Sequence, residues 1–308
     1  MCGLFGFIVY NKKSGDYTKL LNALATESAE RGTHATGIAY NKDNNLTIYK
    51  RPLPAYKMKF KHIEGVKVIT GHTRHATQGD IKNNYNNHPF EGNCNGLDFA
   101  MAHNGIIYND TTLRRAEKLP DSKIKTDSYI YTQLIENEKN IDFDTLAKCT
   151  EKLQGYYTFT ILDNRDNLYI IKGESPIAIL HLTRLKMYVY ASTDSILYRA
   201  IIDGGLLEEI KSGHFETIKA TDGDILKISP DGTITRGKFE SFDYSDYNYK
   251  KWYEYTYIYD DTGEAEYLQD IKQIAGQFGY SDDDIDELIA DGFTLDDIEE
   301  YLYNGAYL

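Results

Sequence analysis

Cysteine is scarce in this chain: Cys2, Cys94 and Cys149 are the only three among 308 residues. An odd, sparse set with no C-x-x-C pair excludes a disulfide framework and zinc sites of the paired-cysteine kind. Free thiols fit a reducing compartment, and a cytoplasmic location is expected. Basic charge is also short, with 34 lysines and arginines against 47 acidic residues and a formal net charge of −13. A protein that grips a nucleic-acid backbone needs a basic face, so no nucleic-acid partner is expected. Long apolar runs are missing as well. The stretch "LFGFIV" begins at residue 4, lacks a basic flank before it and runs straight into "NKK". Neither a signal peptide nor a membrane span is expected. The sequence shows no solenoid-type repeat, and neither a metal nor a cofactor is expected.

What remains is the composition of an ordinary globular protein, 41% hydrophobic and 26% charged, long enough for about two domains. Residues 2–10 predict a buried strand, and "YTKLLNALATESAERG" predicts a helix with Leu20, Leu21, Leu24 and Ala25 on one face. Strands are predicted at "GIAYN", "NLTIYKR", "VKVITGHTR" and "LDFAMAHNG". Two helices follow, "TDSYIYTQLIENEKN" with Thr126 as N-cap and "DFDTLAKCTEKL". A dense β region then runs through "GYYTFTILD", "NLYIIKG", "PIAILHL", "KMYVYAS" and "HFETIKA…DILKIS". Antiparallel strands with helices between them imply an α+β fold in which two sheets pack face to face with helices outside, forming one domain over residues 2–238.

Beyond it, residues 239–263 are rich in tyrosine and acid without a clean period and are read as a linker segment. Residues 264–308 predict an acidic helical mini-domain. "SDDDIDELIADGF" and "TLDDIEEYLYNG" each open on a capping pair, Ser281 with Asp284 and Thr294 with Asp297, and each ends at a glycine-containing turn, at Gly292 and Gly305.

The opening "MCGLFGFIVY" puts a cysteine directly behind the initiator methionine. Removal of Met1 would place a thiol and the free α-amine on one residue; read alone, Cys2 is also simply the start of a strand. Four further stretches stand out, "RGTHATGIAY", "GHTRHATQGD", "NNHPFEGN" and "AHNGIIYND", with "KTDS" behind them. Singly, each has a plain explanation: a surface arginine, a turn, a hairpin tip, an early-helix acid.

Together, in this order, they resemble the class II glutamine amidotransferase domain of the N-terminal-nucleophile hydrolases, over about residues 2–200. The resemblance implies a four-layer αββα sandwich of two antiparallel sheets, here with a small C-terminal helical extension. It also implies Cys2 as the nucleophile. The side-chain amide of glutamine is a poor electrophile, which favours a thioester route, and an α-amine of pKa about 7.7–8.0 is a nearly matched base for a thiol of about 8.5. By the same resemblance, Asn104 and the Gly105 N–H hold the oxyanion. Arg74 and Thr77 bind the substrate carboxylate, Asp127 binds its ammonium, His88 shapes the site, and Arg31-Gly32 support it.

Departures from the family pattern sit beside Arg74. Relatives that aminate sugars usually have an aromatic residue at His75 and a histidine at Gln78, and an acid is common at His34. No S-G-G-x-D-S phosphate loop and no phosphoribosyl-binding run of two acids is found, and about seventy remaining residues are too few for a sugar-isomerase domain. The expected substrate is glutamine. Its ammonia is expected to reach water, a surface-bound acceptor, or an ammonia-accepting or regulatory protein that docks the acidic C-terminal region. Two alternatives stay open: hydrolysis of another γ-glutamyl amide, and a non-catalytic binding module on the same fold.

Overall fold

The computed structural model describes residues 2–10, 15–43, 45–76 and 78–241. In the C-terminal region it describes 279–290, 293–295 and 297–298, with Leu268, Ile271, Lys272, Ala275, Gly276 and Leu302. The first strand, β1 (Gly3–Val9), is buried along its whole length. Its side chains alternate between two cores. Phe5, Phe7 and Val9 pack toward helices, and Leu4 and Ile8 pack into the layer between the sheets. A strand covered on both faces reads as a continuous apolar run, which is why "GLFGFIV" shows no polar alternation.

Sheet one contains β1, β2 (Ala35–Lys42), β3 (Asn45–Arg51), β4 (Val68–Arg74), β9 (Ala178–Leu182), β10 (Met187–Ala191) and β11 (Phe215–Thr217). Its order is β11-β9-β10-β1-β4-β2-β3. Sheet two contains β5 (Phe90–Cys94), β6 (Leu97–Ile107), β7 (Gly155–Asp163), β8 (Leu168–Lys172), β12 (Asp224–Ile228) and β13 (Ile234–Lys238), in the order β13-β12-β8-β7-β6-β5. Neighbouring strands pair antiparallel in both. The helices α1 (Thr18–Ser28) and α5 (Asp194–Asp203) cover sheet one through Leu20, Leu21, Leu24, Ile196, Leu197 and Ile201. Sheet two is covered by α3 (Tyr129–Glu138) and α4 (Phe143–Thr150) through Tyr131, Leu134, Ile135 and Leu146. Short helices α2 (Asp110–Ala116) and α6 (Leu207–Lys211) complete the αββα arrangement.

Sequence periodicity passed over β5, β13, α2, α5 and α6. The α5 segment carries a usable signal: the Thr193 hydroxyl accepts from the Ile196 N–H at 3.3 Å, and buried residues recur at 196, 197, 200 and 201. The N-cap expected at Thr126 is corrected. Helix α3 begins at Tyr129, and its cap residue Ser128 makes no side-chain cap bond. The reason is competition, because the Ser128 hydroxyl bonds His103 Nδ1 at 2.7 Å and donates to Asp127 Oδ1 at 3.2 Å.

The chain divides into two units, Met1–Phe242 and Asp243–Leu308. In the second, α7 (Asp282–Ala290) opens on a reciprocal capping pair, with Ser281 N–H on Asp284 Oδ2 at 2.6 Å and Asp284 N–H on Ser281 Oγ at 3.2 Å. Thr294 and Asp297 repeat it at 2.9 and 3.1 Å. Ile271, Ala275, Ile285, Ile298 and Leu302 form this unit's own core. The linker segment beyond residue 241 up to residue 267, and the turns at Gly292 and Gly305, lie outside the described residues. Among the described residues no helix is long and apolar enough to cross a membrane.

Candidate active site

The pairing of β1 with β4 puts Gly3 opposite Thr73, so Cys2 meets the chain where β4 ends at Arg74 and His75. The Cys2 thiol lies 3.4 Å from both the backbone oxygen and the backbone N–H of His75. Its own carbonyl accepts from Arg31 Nε at 2.7 Å. Gly32 lies against the same stretch: a Cβ there would come within 2.4 Å of the Arg74 carbonyl carbon. Arg31 thus holds the Cys2 backbone, and Gly32 packs against the end of β4. Burial pushes the Cys2 thiol up from its ordinary value, while the His75 N–H and the Arg74 charge pull it down.

Arg74 is buried and held from several sides. One terminal nitrogen donates to Asn87 Oδ1 at 2.8 Å; the other donates to the carbonyls of Gln78 and of Gly79, the latter at 3.1 Å. The guanidinium thus braces the loop that follows β4, and Thr77 within that loop lies outside the described residues. His34 braces it too, accepting the Ala76 N–H at 2.9 Å and stacking on His75 at 4.9 Å.

The opposite wall comes from sheet two. His72 Nε2 on β4 lies 2.9 Å from the His103 carbonyl oxygen on β6, which ties the two sheets together one residue before Asn104. Asn104 is buried, and its side-chain Nδ2 has no hydrogen-bond partner among the described residues. Gly105 follows with φ +141°, and a Cβ there would stand 1.8 Å from the Tyr156 carbonyl oxygen, so only glycine fits. Asp127 is buried beside the end of β6, accepting the Ile107 N–H at 2.7 Å. The charges of Cys2, Arg74 and Asp127 act on one another. The strand ends thus gather Cys2, Arg74, Asn104, Gly105 and Asp127 at one place. A cleft of about 250 Å³, lined in part by Gln78, Asp110, Arg114, Lys125 and Thr126, includes sequence neighbours of this group but none of its five residues.

Residues 72–199 match the sequence pattern of the glutamine amidotransferase domain family. The chain is 33% identical over 189 residues to the glutamine–fructose-6-phosphate aminotransferase (isomerizing) of Staphylococcus aureus, covering 58% of this chain and 30% of that protein. It is 27% identical over 234 residues to the amidophosphoribosyltransferase of Methanocaldococcus jannaschii, covering 73% of this chain and 48% of the relative. The fold matches the glutamine phosphoribosylpyrophosphate amidotransferase of B. subtilis at TM-score 0.59, with 21% identity over 78% of this chain and 49% of that one. A second match, an allosteric regulatory enzyme of purine biosynthesis, has TM-score 0.61 and 20% identity, again over 78% of this chain. Over residues 72–199 the chain is similar in sequence to glutamine amidotransferase domains, and its fold is that of the amidotransferase structures it matches. It spans between about a third and a half of the length of these relatives.

Sequence reasoning named His88 for the candidate site but missed His72 and His103 beside it. His72, His88 and His103 form a buried cluster, with His88 ring centroids 4.2 Å from His72, 4.2 Å from Phe90 and 6.4 Å from His103. Both His88 ring nitrogens lack a partner among the described residues. Burial holds all three below the usual histidine range, His72 down to about 3. They are therefore neutral at physiological pH and act as shaped apolar rings with polar edges.

The sign of the pH effect follows. Below the ordinary histidine pKa the unfolded chain takes up protons that the folded one refuses, so stability present at pH 7 is lost as the pH falls. For His72 alone the loss reaches about 2 kcal/mol at pH 5. The urea midpoint of the unit containing these histidines is expected to drop between pH 7 and pH 5, and an unchanged midpoint contradicts a neutral buried cluster. Cys94 and Cys149 are buried far along β5 and α4, with burial raising their thiols to about 11 and about 12. They are unreactive packing groups.

Proposed function

We propose that this chain hydrolyses the side-chain amide of glutamine through Cys2, and that its α-amine, freed by removal of Met1, is the base. The observation that carries this reading is the juxtaposition of a half-buried thiol with a buried arginine, a buried carboxylate and an asparagine amide that has no partner among the described residues, at the ends of β1, β4 and β6. In this mechanism the α-amine takes the thiol proton and the thiolate attacks the amide carbon. The developing oxyanion is met by Asn104 Nδ2 and the Gly105 N–H. Collapse expels ammonia, which carries off the proton held by the amine, and leaves a γ-glutamyl thioester on Cys2. Water then releases glutamate.

The zwitterionic head of glutamine explains the charges. Arg74 pairs with its α-carboxylate and Asp127 with its α-ammonium. Thr77 adds a hydroxyl to the carboxylate, His88 shapes the wall, and Arg31-Gly32 hold Cys2 in place. Purified protein given glutamine is expected to release ammonia and glutamate in equal amounts. A panel of γ-glutamyl amides, assayed in parallel, identifies the preferred leaving amine; turnover of those amides without turnover of glutamine replaces this reading. A reducing, cytoplasmic setting suits a free nucleophilic thiol.

The ammonia acceptor, or a regulator, is proposed to dock on the C-terminal unit. Residues 264–308 carry Glu264, Glu266, Asp270, Asp282, Asp283, Asp284, Asp286, Glu287, Asp291, Asp296, Asp297, Glu299 and Glu300 against a single Lys272, and Lys272 is itself paired with Asp286 at 2.6 Å. Such a charge balance favours a basic partner, with association steered by charge and weakened by salt. A chain ending at residue 241 is expected to keep glutamine hydrolysis and lose salt-sensitive binding of a basic partner. If hydrolysis disappears with the tail, the docking role is wrong.

A further inference from the structure

Lys50 lies on β3, half-buried behind the site, and its ammonium is spent on backbone. It donates to the Asn87 carbonyl at 2.5 Å and to the Pro89 carbonyl at 2.9 Å, and it lies over the Phe90 ring at 5.2 Å from the centroid. The strap it grips, residues 87–89, carries on one side the Asn87 side chain that receives Arg74 at 2.8 Å. At its middle stands His88. The Lys50 carbonyl in turn accepts from Asn84 Nδ2 at 3.0 Å, which anchors the start of the strap to the same strand. Asn87 is completely buried; its Nδ2 donates to Asn84 Oδ1 at 3.1 Å and to the Ile81 carbonyl at 3.5 Å, so its amide is oriented with Oδ1 toward Arg74.

We infer that Lys50 is a positioning residue of the glutamyl site: by tying the carbonyls on both sides of His88 it fixes Asn87, and through Asn87 it fixes the plane of the Arg74 guanidinium. This inference rests on the reading in which Arg74 meets the substrate carboxylate. A guanidinium recognises a carboxylate through a flat fork, so a rotation of its plane costs recognition while leaving the charge in place.

The surroundings of Lys50 make the device sensitive to pH. Burial pulls its ammonium down to about 8, Glu91 on β5 favours the charge, and Arg74 on β4 opposes it. His72 and His88, also within its field, are neutral. Above about pH 8 the ammonium becomes an amine and its grip on the carbonyls weakens. Recognition of the amino-acid head is then expected to weaken with it.

The test compares two reagents on Cys2. One is a glutamine-shaped diazoketone that carries the amino-acid head; the other is iodoacetamide, which has none. The ratio of their labelling rates reports recognition of the head with most of the thiol's own reactivity removed. Lys50→Met is expected to lower the ratio about tenfold with an unchanged iodoacetamide rate, as expected when a binding group is misplaced rather than removed. Lys50→Arg, which keeps donors on both carbonyls, is expected to retain the ratio. In the wild type the ratio should fall as the pH passes 8, and in Lys50→Arg it should not. An unchanged ratio in Lys50→Met overturns the inference, as does an equal loss with both reagents, which marks a purely structural role. Should Lys50→Met fail to fold, the pH profile of Lys50→Arg decides, and a decline matching the wild type counts against Lys50. A wild-type ratio no higher than that of free cysteine overturns the glutamyl reading itself, and the Lys50 inference with it.

Discussion

Replacement of Cys2 by alanine is expected to lower glutamine hydrolysis by about 10⁴-fold or more, since it removes the group that forms the thioester and no neighbouring thiol can take over. Cys94 and Cys149 are buried in the core of the layer behind sheet two, with thiols raised far above neutral pH. Their replacement by alanine should leave turnover within a few-fold, with any change arising from packing. A chain with Met1 retained should be as inactive as Cys2→Ala, because the nitrogen on Cys2 is then an amide and cannot accept the thiol proton. The checks are initial rates of glutamate formation for the four proteins. Substantial turnover by Cys2→Ala removes the nucleophile from the account.

The second large effect is expected at Asn104. Its amide nitrogen is buried without a partner among the described residues, an arrangement that costs stability unless a transient acceptor uses it. Asn104→Ala removes one oxyanion donor, and kcat is expected to fall by about 10²–10³-fold with little change in KM. Arg74→Ala is expected to do the reverse, raising KM by about one to two decades through loss of a charged contact. It should also loosen the loop whose Gln78 and Gly79 carbonyls it holds. Steady-state kinetics separate the two. Equal falls in kcat with unchanged KM in both variants contradict the division between binding and chemistry.

The candidate site was legible through the resemblance of several ordered stretches rather than through any residue read alone. Cys2 is singled out by its place behind Met1, whereas Asn104-Gly105, Arg74 and Asp127 each have a plain reading as a hairpin tip, a surface arginine and an early-helix acid until the stretches are taken together. The layered architecture was legible too, since strands such as "GYYTFTILD" and helices such as α1 have clear periods. The residues that passed unseen act across long sequence separations. His72 meets His103 between the two sheets, and Lys50 meets Asn87 across a strap that follows β4. No periodicity encodes those contacts, because they depend on sheet packing and register. Ser128 was hidden for another reason: it occupies a helix-capping position and spends its hydroxyl on His103 and Asp127 instead. The segment of α5 was lost among strands although Thr193 marks its start.

The central claim is that Cys2, with its α-amine free, is the nucleophile. It is tested most directly by peptide mapping of active protein after saturation with the glutamine-shaped diazoketone. The account predicts a chain that begins at Cys2, a single adduct on the Cys2 thiol, and loss of glutamine hydrolysis in step with labelling. Retention of Met1 in fully active protein contradicts it, as does an adduct on Cys94 or Cys149 that tracks the loss of activity.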